Sequence, residues 1–194
     1  MDRPATGHLH TAFVAGSRTE VDAFWWAGVD AGYSSDGKPG LRPEYHDRYY
    51  GGFLLDPDGN SVEAVHDGRP RDCAAVIDHI WLRVGDLEAS KRFWVTIGPA
   101  LGLHISRELP ARFHVAGSGR SFALVDGGDR TRNVHIAFPA ANDAVVREFH
   151  RVALAAGYRD IGAPGERPIY HPGYYGAYVL DPDGNNIEAV NHNR

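Results

Sequence analysis

Residues 39–65 read PGLRPEYHDRYYGGFLLDPDGNSVEAV, and residues 164–190 read PGERPIYHPGYYGAYVLDPDGNNIEAV. The two stretches are offset by 125 residues and are identical at 18 of 27 positions. The offset holds upstream, where HTAF at 10–13 falls on HIAF at 135–138. Residues 8–66 and 133–191 are therefore two copies of one unit, and such a repeat has to be identified before a fold is assigned.

Each copy predicts the same order of elements. A short apolar strand is followed by a helix, which Ser17 and Glu20 begin as a capping box in the first copy. Further strands follow, and the DPDGN sequence between the last two predicts a hairpin turn. Residues 77–125 show the same order with a different sequence, including a helix that begins at Asp86 and extends to about Leu101. The chain therefore contains three βαβββ units.

These units are named here the first unit (8–66), the second unit (77–125) and the third unit (133–191). The stretch DGRPRDCAAV, residues 67–76, is typical of a linker because it is polar and contains glycine and proline.

The composition is that of an ordinary globular protein, with 43% hydrophobic and 23% charged residues. The net charge of -5 gives no reason to expect a nucleic-acid partner, and no apolar run approaches the roughly 18 residues that a membrane span needs. Cys73 is the only cysteine, so an intrachain disulfide is excluded and a reducing compartment is indicated. We therefore predict a cytoplasmic protein.

The order of elements resembles that of the vicinal oxygen chelate superfamily, which includes the glyoxalase, bleomycin-resistance and extradiol-dioxygenase proteins. The resemblance covers nearly the whole chain. It implies an α+β fold in which two βαβββ units pair into a cupped mixed sheet. The second and third units, residues 77–194, would form one complete module, and residues 1–66 would form an extra half-module.

The same resemblance implies a divalent metal in the cup, held by the first strand of each unit and the last strand of the second. His79, His135 and Glu188 occupy those positions. Two imidazoles and one carboxylate on one face also leave coordination positions open for a substrate, whatever the family. The ion would be Fe²⁺, Zn²⁺, Ni²⁺, Co²⁺ or Mn²⁺, and it could stabilise an enediolate or bind dioxygen.

Residues 169–188 are similar to the signature of extradiol ring-cleaving dioxygenases. By that resemblance His171 and Tyr178 would be catalytic groups beside the substrate, able to donate hydrogen bonds to its oxygens. Ala177 departs from this signature, because a larger apolar residue is usual there. Two further features depart from the patterns of the two enzyme classes. The acid–base histidine of these enzymes has no counterpart on SFALV, so His114 would have to replace it, and the glutamate ligand of glyoxalase I-type lyases is replaced by Ala123.

The first unit keeps His10 and Glu63 at two ligand positions, whereas Phe53 replaces Tyr178 and lacks its hydroxyl. It is either a degenerate structural half or half of a second site completed by a partner chain, and a missing upstream unit is a third alternative. Because a lone unit exposes a sheet edge, we predict a homodimer.

Two classes of function follow from these residues. The first is a metal-dependent enzyme, a ring-cleaving dioxygenase or a lyase or isomerase, acting on a small oxygen-bearing substrate. The alternative is a non-enzymatic binder of a small molecule or antibiotic, like the bleomycin-resistance proteins, which typically lack the metal ligands.

Overall fold

The computed structural model describes residues 4–68, 76–117 and 120–194. The chain divides into two compact lobes, the N-terminal lobe Ala5–Leu82 and the C-terminal lobe Arg83–Arg194. The division falls after Leu82, whereas the sequence placed a boundary at 67–76. Of that predicted linker, residues 69–75 lie outside the described residues.

The first unit forms β1 (Leu9–Val14), α1 (Arg18–Asp30), β2 (Ser35–Leu41), β3 (Tyr50–Leu55) and β4 (Ser61–His66). The Ser17 hydroxyl caps α1 by accepting a hydrogen bond from the Glu20 N–H. The reciprocal bond of the predicted capping box goes one residue further back, since the Glu20 carboxylate accepts from the Gly16 N–H. The predicted start of this helix is therefore confirmed.

The strands of the N-terminal lobe have the order β2-β3-β4-β1-β5, where β5 is Ile77–Val84 of the second unit. The pair β1–β4 is parallel, and the other pairs are antiparallel. In β1–β5, His10 lies opposite Trp81 and Ala12 lies opposite His79. The first strand of the second unit is thus paired with the first strand of the first unit.

The C-terminal lobe contains the rest of the second unit and all of the third. The second unit continues with α2 (Leu87–Ile97), a 3₁₀ turn (Gly98–Leu101), β6 (His104–Leu109), β7 (Arg112–Gly117) and β8 (Arg120–Asp126). The third unit comprises β9 (His135–Pro139), α3 (Asp143–Ala155), β10 (Asp160–Glu166), β11 (Tyr175–Leu180) and β12 (Asn186–Asn191). Its strands have the order β10-β11-β12-β9, with β12 and β9 parallel. The three predicted βαβββ units are present, and the described strands lie in two mixed sheets.

The second and third units share one hydrophobic core. It joins side chains of α2, namely Phe93, Trp94 and Ile97, to side chains of α3, namely Val146, Phe149 and Ala153. Ile187 and Ala189 of β12 enter the same core, so helices cover this face of the sheet formed by the third unit. The pairing of the second and third units into one cupped module stays a prediction. The second and third units pack through their helices, while the first strand of the second unit pairs with the first unit.

Candidate metal site

In each copy, one hydrogen bond fixes the first strand against the hairpin turn that precedes the last strand. Oδ1 of Asn60 accepts from the Leu9 N–H at 3.0 Å, and Oδ1 of Asn185 accepts from the Val134 N–H at 3.1 Å. The turn itself is closed by an aspartate, whose carboxylate accepts from the asparagine N–H in both copies. Each histidine that follows on the first strand is thereby held beside the last strand of its own unit.

Three ligand atoms converge in the N-terminal lobe. Nε2 of His10 lies 3.1 Å from Oε2 of Glu63 and 3.3 Å from Nε2 of His79. Nε2 of His79 lies 3.6 Å from the same Glu63 oxygen. Within the described parts of the chain, these residues form the one group of three or more histidine, cysteine or acidic side chains compact enough to hold an ion.

Each of the three side chains is also held from its far side. Nδ1 of His79 lies 2.9 Å from a carboxylate oxygen of Asp78, and Nδ1 of His10 lies 3.1 Å from the Ser61 hydroxyl. The Tyr49 hydroxyl donates to Oε1 of Glu63 at 2.8 Å. Outer hydrogen bonds of this kind orient metal ligands and fix the histidine tautomer that leaves Nε2 free to coordinate.

This arrangement fits a divalent cation. In the tautomer with the proton of each imidazole on Nδ1, two Nε2 lone pairs and a carboxylate face one another, and a cation between them relieves this unfavourable arrangement. Two ligand atoms bound to a tetrahedral zinc ion lie about 3.3 Å apart, which is close to the three distances here. Glu63 is 1% exposed, so few water molecules can offset this repulsion. The donor set of two histidines and one glutamate therefore suits the group that the fold implies.

Aromatic rings border the three ligands. The Trp81 ring centroid lies 5.6 Å from that of His10 and 5.8 Å from that of His79, and the Phe53 centroid lies 6.1 Å from that of His10. Gly51 lies on the strand opposite Glu63, and a Cβ atom there would collide with Oε1 of Glu63. A glycine is required at this position for the carboxylate to take its place.

The third unit repeats half of this site. Nε2 of His135 lies 2.7 Å from Oε2 of Glu188, and the Tyr174 hydroxyl donates to Oε1 of Glu188 at 2.6 Å. Burial of Glu188 acts to raise its pKa, but the hydrogen bonds from His135 and Tyr174 outweigh burial and hold the pKa below its usual value. A charged carboxylate is therefore kept in a fully buried position.

The two residues predicted to be catalytic differ in their surroundings. The Tyr178 side chain is buried, its ring centroid lies 6.0 Å from that of His135, and its hydroxyl has no well-formed hydrogen bond within the described chain. Burial, followed by the negative charge of Glu188, raises the pKa of Tyr178 to about 12. His171 instead contacts His192, with Nε2 to Nδ1 at 2.9 Å and stacked rings.

The structure brings together two of the three predicted metal ligands, His135 and Glu188. It places the third, His79, beside His10 and Glu63. The set of His79, His135 and Glu188 therefore stays a prediction, while a different set of three is assembled around His79. On the second unit, His114 of β7 lies opposite Ala123 of β8 in the ladder.

The hydrogen bonds from Tyr49 and Tyr174 to the glutamate carboxylates were not expected from the sequence. A signal for both was present, because the two tyrosines are related by the 125-residue offset and each lies two positions before a glycine that accommodates the ligand carboxylate. Retention of a tyrosine, a glycine and a glutamate at the same spacing in both copies indicates one hydrogen-bonded unit.

None of the helices in the described residues is long and apolar enough to cross a membrane.

Among curated proteins, none matches the sequence. Glyoxalase I from Zea mays is similar in structure with a TM-score of 0.68 and 20% identity, covering 98% of this chain and 68% of that chain. A glyoxalase/bleomycin resistance protein from Albidiferax ferrireducens T118 covers 59% of this chain and 96% of its own, with 27% identity and a TM-score of 0.50.

A family model confirms the resemblance over more than half of the chain. It is described as the Glyoxalase/Bleomycin resistance protein/Dioxygenase superfamily, and it matches residues 76–189. The βαβββ units in two mixed sheets agree with the structure of glyoxalase I. The chain belongs to the glyoxalase/bleomycin resistance protein/dioxygenase superfamily.

Proposed function

We propose that the chain is a divalent-metal-dependent enzyme whose ion is bound by His10, Glu63 and His79. The observation that carries the proposal is the convergence of three ligand atoms at 3.1, 3.3 and 3.6 Å, each side chain having an outer hydrogen bond. Three protein ligands leave coordination positions open, so the substrate is a small molecule that binds through neighbouring oxygen atoms. A metal-free antibiotic binder would not need ligand atoms in this geometry.

The residues around the site determine which substrates it can bind. When bound, the ion acts as a Lewis acid that stabilises negative charge developing on substrate oxygens. Tyr49 holds the Glu63 carboxylate in position, and Asp78 does the same for the His79 ring. Phe53 and Trp81 supply apolar surface that favours an apolar or planar part of the substrate and excludes water.

A lyase or isomerase reaction suits this site better than ring cleavage. Phe53 holds the position that Tyr178 holds in the third unit, and it cannot donate a hydrogen bond to a substrate oxygen. Transfer of the α-proton of an α-hydroxycarbonyl compound to water develops negative charge on two neighbouring oxygens, and an ion held by His10, Glu63 and His79 would stabilise that charge through its open coordination positions.

Ring cleavage is a second candidate, and the third unit favours it. Tyr178 directs a buried hydroxyl towards the neighbourhood of His135 and Glu188, as the dioxygenase signature requires. With iron bound by these two ligands and His79, the set predicted from the sequence, Tyr178 and His171 would lie beside a catechol. This alternative assigns His79 to a different ion, so the two candidates can be separated by mutation.

Metal analysis of three variants tests the proposal. Protein purified without chelator is loaded with Zn²⁺ and desalted, and the bound metal is measured by mass spectrometry. If His10, Glu63 and His79 form the site, His10→Ala loses about one ion per chain. If the ligands are His79, His135 and Glu188, His10→Ala retains the full amount and His135→Ala loses it. Loss in His79→Ala is common to both sets, and His104→Ala on β6 serves as the control.

Activity is then measured as exchange of the α-proton of an α-hydroxycarbonyl compound with deuterated solvent by nuclear magnetic resonance. Loaded wild-type protein is expected to accelerate the exchange, and His10→Ala is expected to abolish the acceleration. If His10→Ala binds metal like the wild type, the proposed site is wrong.

A further inference from the structure

Two histidine rings meet on the third unit, apart from the metal ligands described above. His171 lies in the loop before β11, and His192 directly follows β12. Nε2 of His171 lies 2.9 Å from Nδ1 of His192, and the two ring planes are within 23° of each other. Imidazole nitrogens this close to each other either share a proton or bind one cation, so these two histidines are a candidate pair of metal ligands.

The hydrogen bond of the His171 ring to the backbone determines which of its nitrogens can bind an ion. Nδ1 of His171 lies 2.8 Å from the carbonyl oxygen of Pro172. Because a carbonyl oxygen can only accept, Nδ1 carries the proton, and Nε2 presents its lone pair to His192. Metal-ligating histidines commonly have their tautomer fixed by a backbone carbonyl in this way. One nitrogen of the pair is therefore prepared for coordination.

The C-terminal tail holds His192 in place. Nδ2 of Asn193 donates to the Gly173 carbonyl oxygen at 2.9 Å and to Oδ1 of Asp143 at 3.2 Å. Asn191 donates to the same Asp143 oxygen at 2.8 Å, and its own Oδ1 accepts from the Asn193 N–H. His192 lies between these two anchored asparagines, so binding of an ion orders little additional chain.

The internal repeat has metal-ligating residue types at the same two positions in both copies. By the 125-residue offset, His171 corresponds to His46, and His192 corresponds to Asp67. His46 and Asp67 line one cavity in the first unit. The second position therefore differs in residue, but imidazole and carboxylate are both able to bind a metal. A contact required only for the packing of two rings would not explain an aspartate there.

We propose that His171 and His192 bind a divalent transition-metal ion such as Zn²⁺ or Cu²⁺, for which imidazole nitrogen is a suitable ligand. Two nitrogens bound to a tetrahedral zinc ion lie about 3.3 Å apart, so the rings have to separate by about 0.4 Å and turn both nitrogens towards the ion. His192 is exposed and His171 is partly exposed, which leaves room for this movement. Water molecules complete the coordination.

The ion would join the C-terminal tail to the loop that carries Tyr174. The Tyr174 ring is edge-on to both histidine rings, with centroids 5.3 Å from His171 and 5.2 Å from His192. The Tyr174 hydroxyl donates a hydrogen bond to Glu188. An ion on the two histidines therefore restrains the tyrosine that orients the Glu188 carboxylate.

Titration calorimetry of full-length, chelator-stripped protein with Zn²⁺ tests this site. Because only two side chains hold the ion, it binds more weakly than an ion with three protein ligands and is lost on desalting, so a titration is required. The wild type is expected to bind one ion tightly and a second ion more weakly. The ring ¹⁵N resonances of His171 and His192 should shift with the second ion alone. His192→Ala should weaken the second ion at least about tenfold and leave the first unchanged.

Matched variants separate this site from the other candidate ligands. His10→Ala should lose the tight ion and retain the weak one, so this proposal and the proposed function fail separately. His135→Ala and His104→Ala should both retain the weak ion, because neither histidine is a ligand to it. Circular dichroism checks that each variant is folded.

Three results would overturn the proposal. The first is a wild type that binds no second ion, and the second is a weak ion that survives in His192→Ala with unchanged affinity. The third is a weak ion that disappears in His135→Ala, which would assign it to His135 and Glu188.

Discussion

Gly51 provides a sharp test of the first metal site because it lies against a ligand without coordinating the ion. A Cβ atom at Gly51 would collide with Oε1 of Glu63, and at the equivalent Gly176 the distance to Oε1 of Glu188 would be 2.7 Å. Since an ordinary contact between carbon and oxygen is about 3.4 Å, the carboxylate has to retreat by about 0.7 Å or more in Gly51→Ala.

That displacement is large compared with what coordination tolerates. Ligand distances in metal sites vary by only about 0.2 Å, so a retreat of this size removes Glu63 as a ligand or strains the sheet around it. Loss of a hydrogen bond to a ligand already costs 10- to 100-fold in affinity, so we expect Gly51→Ala to weaken metal binding by about 100-fold or more. This corresponds to about 2.7 kcal/mol of binding free energy.

Competition with a chromophoric chelator measures the affinity, and thermal unfolding of the metal-free protein measures the change in stability. Gly52→Ala is the matched control, because its Cβ would meet Pro39 and Val21 at 3.2 and 3.3 Å and does not approach Glu63. It is expected to lower stability without lowering metal affinity. Gly51→Ala protein that is folded and binds zinc as tightly as the wild type would refute the assigned role of Glu63.

Three further changes test other parts of the structure. Tyr49→Phe removes the hydrogen bond to Glu63 and should lower metal affinity at the first site by about 10- to 100-fold, whereas Tyr174→Phe should leave that site unchanged in the same titration. The His150 ring, whose Nε2 lies 3.1 Å from Oδ1 of Asp160, and a hydrogen bond from the Gly162 N–H hold the pKa of Asp160 below its usual value. This carboxylate therefore stabilises the fold above about pH 4, and the contribution is lost as the pH falls. Thermal unfolding between about pH 6 and 3 should therefore show a smaller acid-induced loss in Asp160→Asn than in the wild type. If the third unit cleaves a catechol with iron, Tyr178→Phe should slow oxygen uptake by about 100-fold with little change in catechol affinity, and equal rates would remove Tyr178 from the reaction.

The sequence predicted elements well where local chemistry determines them. The helix from Asp86 was expected from its cap and apolar spacing, and the structure ends α2 at Ile97 and continues as a 3₁₀ turn to Leu101. The hairpin turns before β4 and β12 were expected from DPDGN, and they form with glycine at a positive φ in both copies. By contrast, β2 contains two glycines and a proline, and its irregular pairing with β3 is a tertiary feature that strand propensity does not indicate.

The sequence predicted which residues occupy ligand positions, but it did not determine which of those residues share one site. His10, His79, His135, Glu63 and Glu188 were all recognised as occupying ligand positions. Whether β5 pairs with β1 or with β9 depends on long-range contacts. The two candidate strands are nearly identical in sequence, HTAF at 10–13 and HIAF at 135–138. Local pattern cannot distinguish two nearly identical partners. The grouping of His79 with His135 and Glu188 followed from the family resemblance, in which two units pair, and it stays a prediction.

The number of metal ions does not depend on that choice. Each copy of the repeat carries one histidine on its first strand and one glutamate on its last strand, so two such pairs exist in the chain, in the first and third units. The second unit carries His79 but has Ala123 on its last strand, so it can complete one pair and cannot complete both. Whichever pair His79 completes, the other is left with two ligands from the described residues of the chain. Measured stoichiometry therefore counts the complete sites independently of the pairing within the chain, and the His10→Ala and His135→Ala variants then identify which pair is complete.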